Sequence, residues 1–320
     1  MALRSVYGIS RLGERSRTQK PWVRPVGALA RWVRGGGLST LVLTLPLLAV
    51  FGWFSWYPIG RAVVMSFQHT NLVTDPVWVG FDNFRKVLDD ANVWISVRNT
   101  VRFTLLALLF GYPVPLLLAI VMSELRKARG LYSLLAYLPV VIPPVVAVLL
   151  WRFFYDASPT GVFNTVLGWV HLGPYPWIQE RTWAMPSLVL QATWANAGGT
   201  VIIYLAALSG MSSELYDAAE ADGAGIFRKI WHVTLPQMRN ILLITLILQV
   251  IATFQVFTEP YLMTDGGPER STTTVLLQIF DYAFKRGDYG AATALSLLLA
   301  LFLAVLSAVY FRITRGWSTQ

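Results

Sequence analysis

Long apolar runs alternate with polar stretches along this chain, and several reach the roughly 20 residues a helix needs to cross a bilayer. Leu105 to Met122 and Ala291 to Tyr310 contain no charged residue at all. The pattern predicts an all-α integral membrane protein with six transmembrane helices, near residues 38–60, 100–123, 131–154, 183–208, 240–263 and 291–312. The third run carries Pro139, Pro143 and Pro144. Each proline removes a backbone donor, so this span is expected to kink or break and to face other helices rather than lipid. The stretches Gln68 to Asn99 and Tyr155 to Arg181 are rich in aromatics, among them Trp78, Phe81, Trp94, Trp169 and Trp177. An interfacial aromatic belt is expected there, or a docking surface for an extracytoplasmic partner.

Composition agrees, with 55% apolar and 13% charged residues. The formal charge of +9 changes the picture only through its location: Arg4, Arg11, Arg15, Arg17, Lys20, Arg24, Arg31 and Arg34 precede the first span, offset by Glu14 alone. A basic flank resists translocation, which points to a cytoplasmic N-terminus and not to nucleic acid. Arg126, Lys127 and Arg129 between spans two and three, and Arg312 and Arg315 at the end, fit the same orientation. The expected organisation is a basic cytoplasmic segment over 1–37, a six-helix transmembrane domain over 38–312 and a cytoplasmic tail over 313–320, in a multi-pass cell-membrane protein with both termini inside. The run from Thr40 to Pro58 is too long for a signal-peptide core and is expected to stay as an anchor. With no cysteine, disulfides and thiolate chemistry are excluded, and His69, His171 and His232 are not at metal-ligand spacing.

One polar island, residues 209–239, interrupts the apolar pattern. Ser212 or Ser213 can cap a helix whose first turns hold Glu214 and Asp217, acids suited to the positive end of a helix dipole. Gly223 permits a sharp turn, and a second short helix is expected from about Gly225 through Ile226, Ile230 and Val233, stopping before Pro236. This helix-turn-helix knob can shield helix ends or dock a partner.

The knob closely resembles the coupling loop of binding-protein-dependent ABC importer permeases, whose motif runs Glu-Ala-Ala, three residues, Gly, nine residues, Ile, one residue, Leu-Pro. Here it reads Asp217-Ala218-Ala219, Gly223, Val233, Leu235-Pro236, with every spacing kept. Asp for Glu and Val for Ile are the departures. The resemblance reaches from about Thr40 to the C-terminus. Val64-Met65-Ser66-Phe67, Val79-Gly80-Phe81-Asp82-Asn83-Phe84, Asn99-Thr100, Leu262 to Pro268 and Ser271-Thr272-Thr273 look like the maltose-type carbohydrate branch. That resemblance implies a membrane subunit paired with a second homologous permease, as a heterodimer, together with two ATPase subunits and an extracytoplasmic sugar-binding protein. The chain has no G-x-x-x-x-G-K-[ST] loop, so ATP is expected on partner chains and no cofactor on this one.

A sugar path needs hydrogen-bonding groups beside apolar faces in a concave site. Spans four and five supply Trp194, Asn196, Gln249, Thr253, Gln255 and Glu259. Aligned on Leu208 and Pro236, the resemblance puts Trp194, Asn196, Gln249 and Thr253 at or near lining positions, and the same residues could instead glue helices together. Glu259 is the one acid placed within a span, a candidate proton site or hydroxyl acceptor. An importer for glycerol phosphodiesters or another polar solute is the alternative, with Arg102 and Arg152 as candidate phosphate partners. A secondary transporter is a further one.

Overall fold

The computed structural model describes residues 32, 35–124 and 129–316. The basic residues from Arg4 to Arg31, with Arg34, Arg126 and Lys127, lie outside the described residues. Among those described, Gly37–Met65, Ala91–Glu124, Arg181–Ser209, Ile226–Phe254 and Tyr289–Thr314 are long and apolar enough to cross a membrane. Gly130–Val141 and Pro144–Phe154, bent by 97° at their junction, make a sixth if counted as one broken span. The break falls where the prolines were expected to place it, with Pro143 extended and Pro144 opening the next helix.

The chain divides into two compact units, Met1–Ile59 and Gly60–Gln320. In the first, Gly37–Phe51 is a helix followed by one wide turn, Gly52–Trp56, and apolar side chains such as Leu43, Leu48 and Trp53 are exposed along it. The second holds the remaining helices and three apolar clusters. Phe103, Trp151, Tyr155, Met185 and Leu188 join spans two, three and four, while Ala119, Met122, Val201, Tyr204 and Met238 join two, four and five. A further cluster, with Val87, Val93, Tyr282 and Leu295, seats the last span against the segment around Asp82–Asp89.

Close approach of span three to span four depends on Gly198. A Cβ there would lie 2.1 Å from the Ala136 carbonyl oxygen. Span three is only half enclosed, however: Leu134, Leu138, Val141, Val145 and Val146 are exposed, so the expectation that it faces other helices holds for one side only. The Pro143-Pro144 break costs no buried carbonyl much, because Ala147 still donates to Pro143 O at 3.1 Å and Ile142 to Pro139 O at 3.2 Å.

Three prolines are accommodated by one device. Pro58, Pro113 and Pro236 each follow a single wide turn by two residues: Gly52–Trp56, Ala107–Gly111 and Ile230–Thr234. In each, the residue before the proline donates five positions back, Tyr57 to Gly52, Tyr112 to Ala107 and Leu235 to Ile230. The extra residue re-phases the ladder so that the proline's missing donor falls where the helix can carry it. The second knob helix therefore does not stop before Pro236. It begins at Ile226 and runs into span five as one rod to Phe254, not from 240 to 263 as the apolar run suggested.

Two hydrogen-bonded knots fix the hairpin end of the second unit. Asn83 Nδ2 donates to Ser66 O and Gln68 O at 3.0 and 2.9 Å, holding the hairpin of Gln68–His69 with Val77–Trp78. Gly290 makes room, since its Cβ would meet Gln68 O at 2.3 Å. In the second knot Asn99 Nδ2 donates to Arg270 O and Thr273 O at 2.7 and 3.0 Å, and Thr100 Oγ1 accepts from Val275 N at 2.9 Å. Thr264 and Thr272 hydroxyls share a 2.7 Å bond, and Thr274 Oγ1 donates to Val256 O at 2.9 Å. These buried groups are paired off internally, as a low-dielectric interior favours, while Ser271 Oγ and Arg270 Nε in the same region have no hydrogen-bond partner among the described residues.

Candidate functional site

Spans two, four and five, with Val140 of span three, line a half-open cavity of about 630 Å³. Span four brings Thr193, Asn196, Gly199 and Thr200 to it, and span five brings Thr245, Gln249 and Thr253. Span five ends at Phe254; Thr258 and Glu259 line the cavity from the first turn of the next short helix, and Gln255 and Phe257 from the irregular turn between. The Thr274 to Val256 bond anchors that turn from the knot behind it. Span two contributes Ala107 and Gly111, the ends of its wide turn. Gly111 is a close approach: a Cβ there would sit 2.8 Å from Thr193 Oγ1.

Of the six path residues expected from sequence, Asn196, Gln249, Thr253, Gln255 and Glu259 meet at this cavity. Trp194 does not line it. Its ring packs 5.3 Å from that of Trp151, in the apolar cluster between spans three and four. Residues 194 and 196 are two apart, about 200° around a helix, so they cannot share a face. Thr253 is mostly buried and gives its proton to Val250 O at 2.9 Å, and Asn196 Nδ2 donates to Ala192 O at 2.8 Å, leaving the Asn196 carbonyl for other partners. Glu259 is half-buried and makes no ion pair among the described residues. Arg102 is exposed elsewhere, and Arg152 donates to Leu262 O at 3.2 Å beside a separate groove with Tyr155 and Pro268. Neither lines the cavity. Sequence reasoning missed the span-two contribution, although Pro113 two residues after Gly111 was its signal.

The knob lies at the other end of span five. Ser212 caps Ser213–Ala221, its side chain accepting from Glu214 N at 3.3 Å. Gly223 turns the chain at φ +75°, with Gly223 N and Ala224 N returning to Glu220 O and Ala219 O, both at 2.9 Å. Tyr216 and Thr234 hydroxyls, 3.0 Å apart, tie the capped helix to the base of span five, and Lys229 approaches Glu220 at 3.5 Å. Asp217, Ala218, Gly223 and Pro236 are exposed, and Ala219, Val233 and Leu235 half-buried. Phe227 is 84% and Trp231 70% exposed, at helical spacing on the rod's first turns.

Charge concentrates at the hairpin end. Tyr282 hydroxyl donates to Asp90, Arg286 lies 3.7 Å from the same carboxylate and 4.8 Å over the Tyr282 ring, and Lys86 pairs with Asp288. Burial pushes Asp90 up, but the bonds from Tyr282 and Asn92 and the Arg286 charge outweigh it and hold the carboxyl below its ordinary value. Lys285, hydrogen-bonded to Asp265 and paired with Asp281, is held above its ordinary value.

A family described as binding-protein-dependent transport system inner membrane component matches residues 111–318. The trehalose/maltose transport system permease protein MalF of Thermococcus litoralis is 30% identical over 278 residues, covering 87% of this chain and 91% of that one. The sulfoquinovosyl glycerol transport system permease protein SmoG of Agrobacterium fabrum is 32% identical over 297 residues, covering 90% and 95%. Among solved structures, a bacterial ABC transporter involved in the import of the acidic polysaccharide alginate superposes with a TM-score of 0.79 at 26% identity, over 90% of this chain and 98% of that one. A bacterial alginate ABC transporter in complex with an alginate pentasaccharide-bound periplasmic protein also superposes with a TM-score of 0.79 at 26% identity, over 90% of this chain and 97% of that one. With a cavity between its spans, an exposed knob on the rod that reaches it, and this kinship, the chain belongs to the family of binding-protein-dependent transport system inner membrane components.

Proposed function

We propose that this chain is one membrane half of an ATP-driven importer that passes a sugar or oligosaccharide, delivered by an extracytoplasmic binding protein, into the cytoplasm. The knob faces the cytoplasm together with both termini and seats in an ATPase subunit through Asp217, Ala218, Ala219 and the turn at Gly223. A second, homologous permease completes the path, and two ATPase chains hold the nucleotide, so this chain carries no catalytic site or cofactor of its own. The observation that carries the reading is mechanical continuity. Ile226–Phe254 is one rod with the knob at its foot and Gln249, Thr253, Gln255 and Glu259 at its head. At 1.5 Å per residue its 29 residues span about 43 Å, enough to link a cytoplasmic contact to a site within the membrane.

Closure of the ATPases moves the rod's foot, and the rod carries the motion to the cavity wall. Binding of ATP and of loaded binding protein drives the cycle only through their different affinities for its two states. Uncharged side-chain amides and hydroxyls around the cavity suit a polyhydroxylated cargo. A phosphodiester cargo finds no support there, since Arg102 and Arg152 lie off the cavity.

The test is purification of the chain with its native partners, followed by ATPase assay against binding proteins loaded with different sugars. Copurification of an ATPase, stimulated by a sugar-loaded binding protein, is the expected result. Absence of any copurifying ATPase overturns the reading.

A further inference from the structure

We propose that Glu259 makes the path selective against anionic sugars, so that the cargo is an uncharged sugar or oligosaccharide. The inference deepens the importer reading and rests on it. Kinship leaves cargo charge open: the relatives' names include trehalose and maltose on one side and an acidic polysaccharide on the other. The cavity is more specific. Glu259 is the one charged residue among the described residues lining it, and the other polar groups are Thr, Asn and Gln side chains. No described cation pairs with its carboxylate.

A carboxylate is an acceptor only, so it takes hydrogen bonds from sugar hydroxyls, and these charge-assisted bonds are stronger than those between neutral groups. Neighbouring Gln249 and Gln255 amides can both donate and accept. A sugar carboxylate or sulfonate in the same cavity brings a second negative charge within several ångströms. Water is partly excluded there, and like charges then repel far more strongly than in bulk solvent. Glu259 lies in the first turn of the short helix after the turn at Gln255 to Phe257, three residues from Val256, whose carbonyl accepts from Thr274 Oγ1.

The experiment uses the complete importer, with both permeases and both ATPases, in proteoliposomes. A transported neutral oligosaccharide is compared with the same molecule oxidised at its reducing end to the aldonate, which adds one carboxylate at constant length. Both are supplied at concentrations shown by calorimetry to saturate the binding protein, and uptake is expressed per ATP hydrolysed by each complex. The neutral form is expected to be favoured on the order of tenfold or more by the wild type. Glu259→Gln and Glu259→Ser are expected to bring that ratio close to one, and Glu259→Asp to keep it. Either neutral variant that assembles suffices, and the second permease contributes equally to every arm.

An unchanged ratio in the neutral variants, or equal uptake of the two forms by wild type, overturns the proposal while leaving the importer reading intact. Failure of the wild type to take up either form, without stimulated ATPase activity, instead overturns the importer reading and this inference with it.

Discussion

The knot around Asn99 and the knob around Gly223 are both polar interruptions of an apolar chain, yet they spend their polar groups in opposite directions. In the knot, Asn99, Thr100, Thr264, Thr272 and Thr274 turn inward and bond to one another or to backbone. In the knob, Asp217 and Glu220 stand in solvent, and Phe227 and Trp231 leave their rings uncovered. The contrast teaches that polarity within a membrane protein marks order but not purpose. A polar segment that closes on itself holds the chain, and one that stays largely open leaves its groups available to other partners.

The contrast can be tested by damaging each side, and the largest effects belong to the hairpin end. Gly290→Val would force a side chain to within 2.3 Å of Gln68 O and 2.8 Å of Asn83 Nδ2. Backbone has nowhere to go, so assembly is expected to fail, at the severe end of single substitutions, above about 4 kcal/mol. Loss of the monodisperse peak in size-exclusion chromatography would register it. Asn99→Leu leaves the Thr273 carbonyl unpaired, at about 1–3 kcal/mol, and the Arg270 carbonyl with only its 3.3 Å bond from Thr273 N, and is expected to lower the thermal unfolding midpoint and loosen the turn after Phe254.

Effects on the knob should fall on transport and spare the fold. Gly223→Val meets no atom within 4 Å, so its cost is the left-handed backbone alone, roughly 1–2 kcal/mol. Insertion into the membrane is expected to survive while sugar uptake per ATP hydrolysed collapses. Retained uptake in Gly223→Val vesicles would sink the lever. Asp217→Ala, at an exposed site, is expected to leave the unfolding midpoint within the error of about 0.5 kcal/mol and to weaken uptake.

The smallest effect is that of pH at the hairpin end. Asp90 is held below its ordinary value in the folded chain, so its bonds with Tyr282 and Arg286 stabilise fully above roughly pH 4. That contribution is lost as pH falls through the lower folded value. A drop in unfolding midpoint below about pH 4 in wild type, flattened in Asp90→Asn, is the expected outcome.

Much of this organisation could be read from the chain. The apolar runs locate five helices long enough to cross a membrane among the described residues, and a sixth if the bent pair is one span, because the bilayer demands length and apolarity; the bounds of the fifth were misplaced. Pro143-Pro144 gives the break in span three, and Ser212 and Gly223 give the limits of the first knob helix. Pro236 misled, since a rule for helix interiors does not foresee that one extra residue upstream re-phases the ladder. Trp194 misled for a simpler reason: polar and aromatic content near a path does not say which side of the helix faces it. Asn99 and the threonines near residue 270 were legible as a pattern but not as a knot, because their partners lie more than 170 residues apart.

The absence of cysteine allows the central comparison to be measured directly. Ala218→Cys in the knob and Thr273→Cys in the knot, each the sole thiol on this chain, would be exposed to a membrane-impermeant maleimide. Labelling would be done in inside-out vesicles, with the ATPase subunits present and after their removal. If the knob is an ATPase seat, Ala218→Cys is shielded in the complex and labels quickly once the ATPases are stripped, while Thr273→Cys stays unreactive throughout. Equal labelling of Ala218→Cys with and without the ATPases would contradict the coupling role.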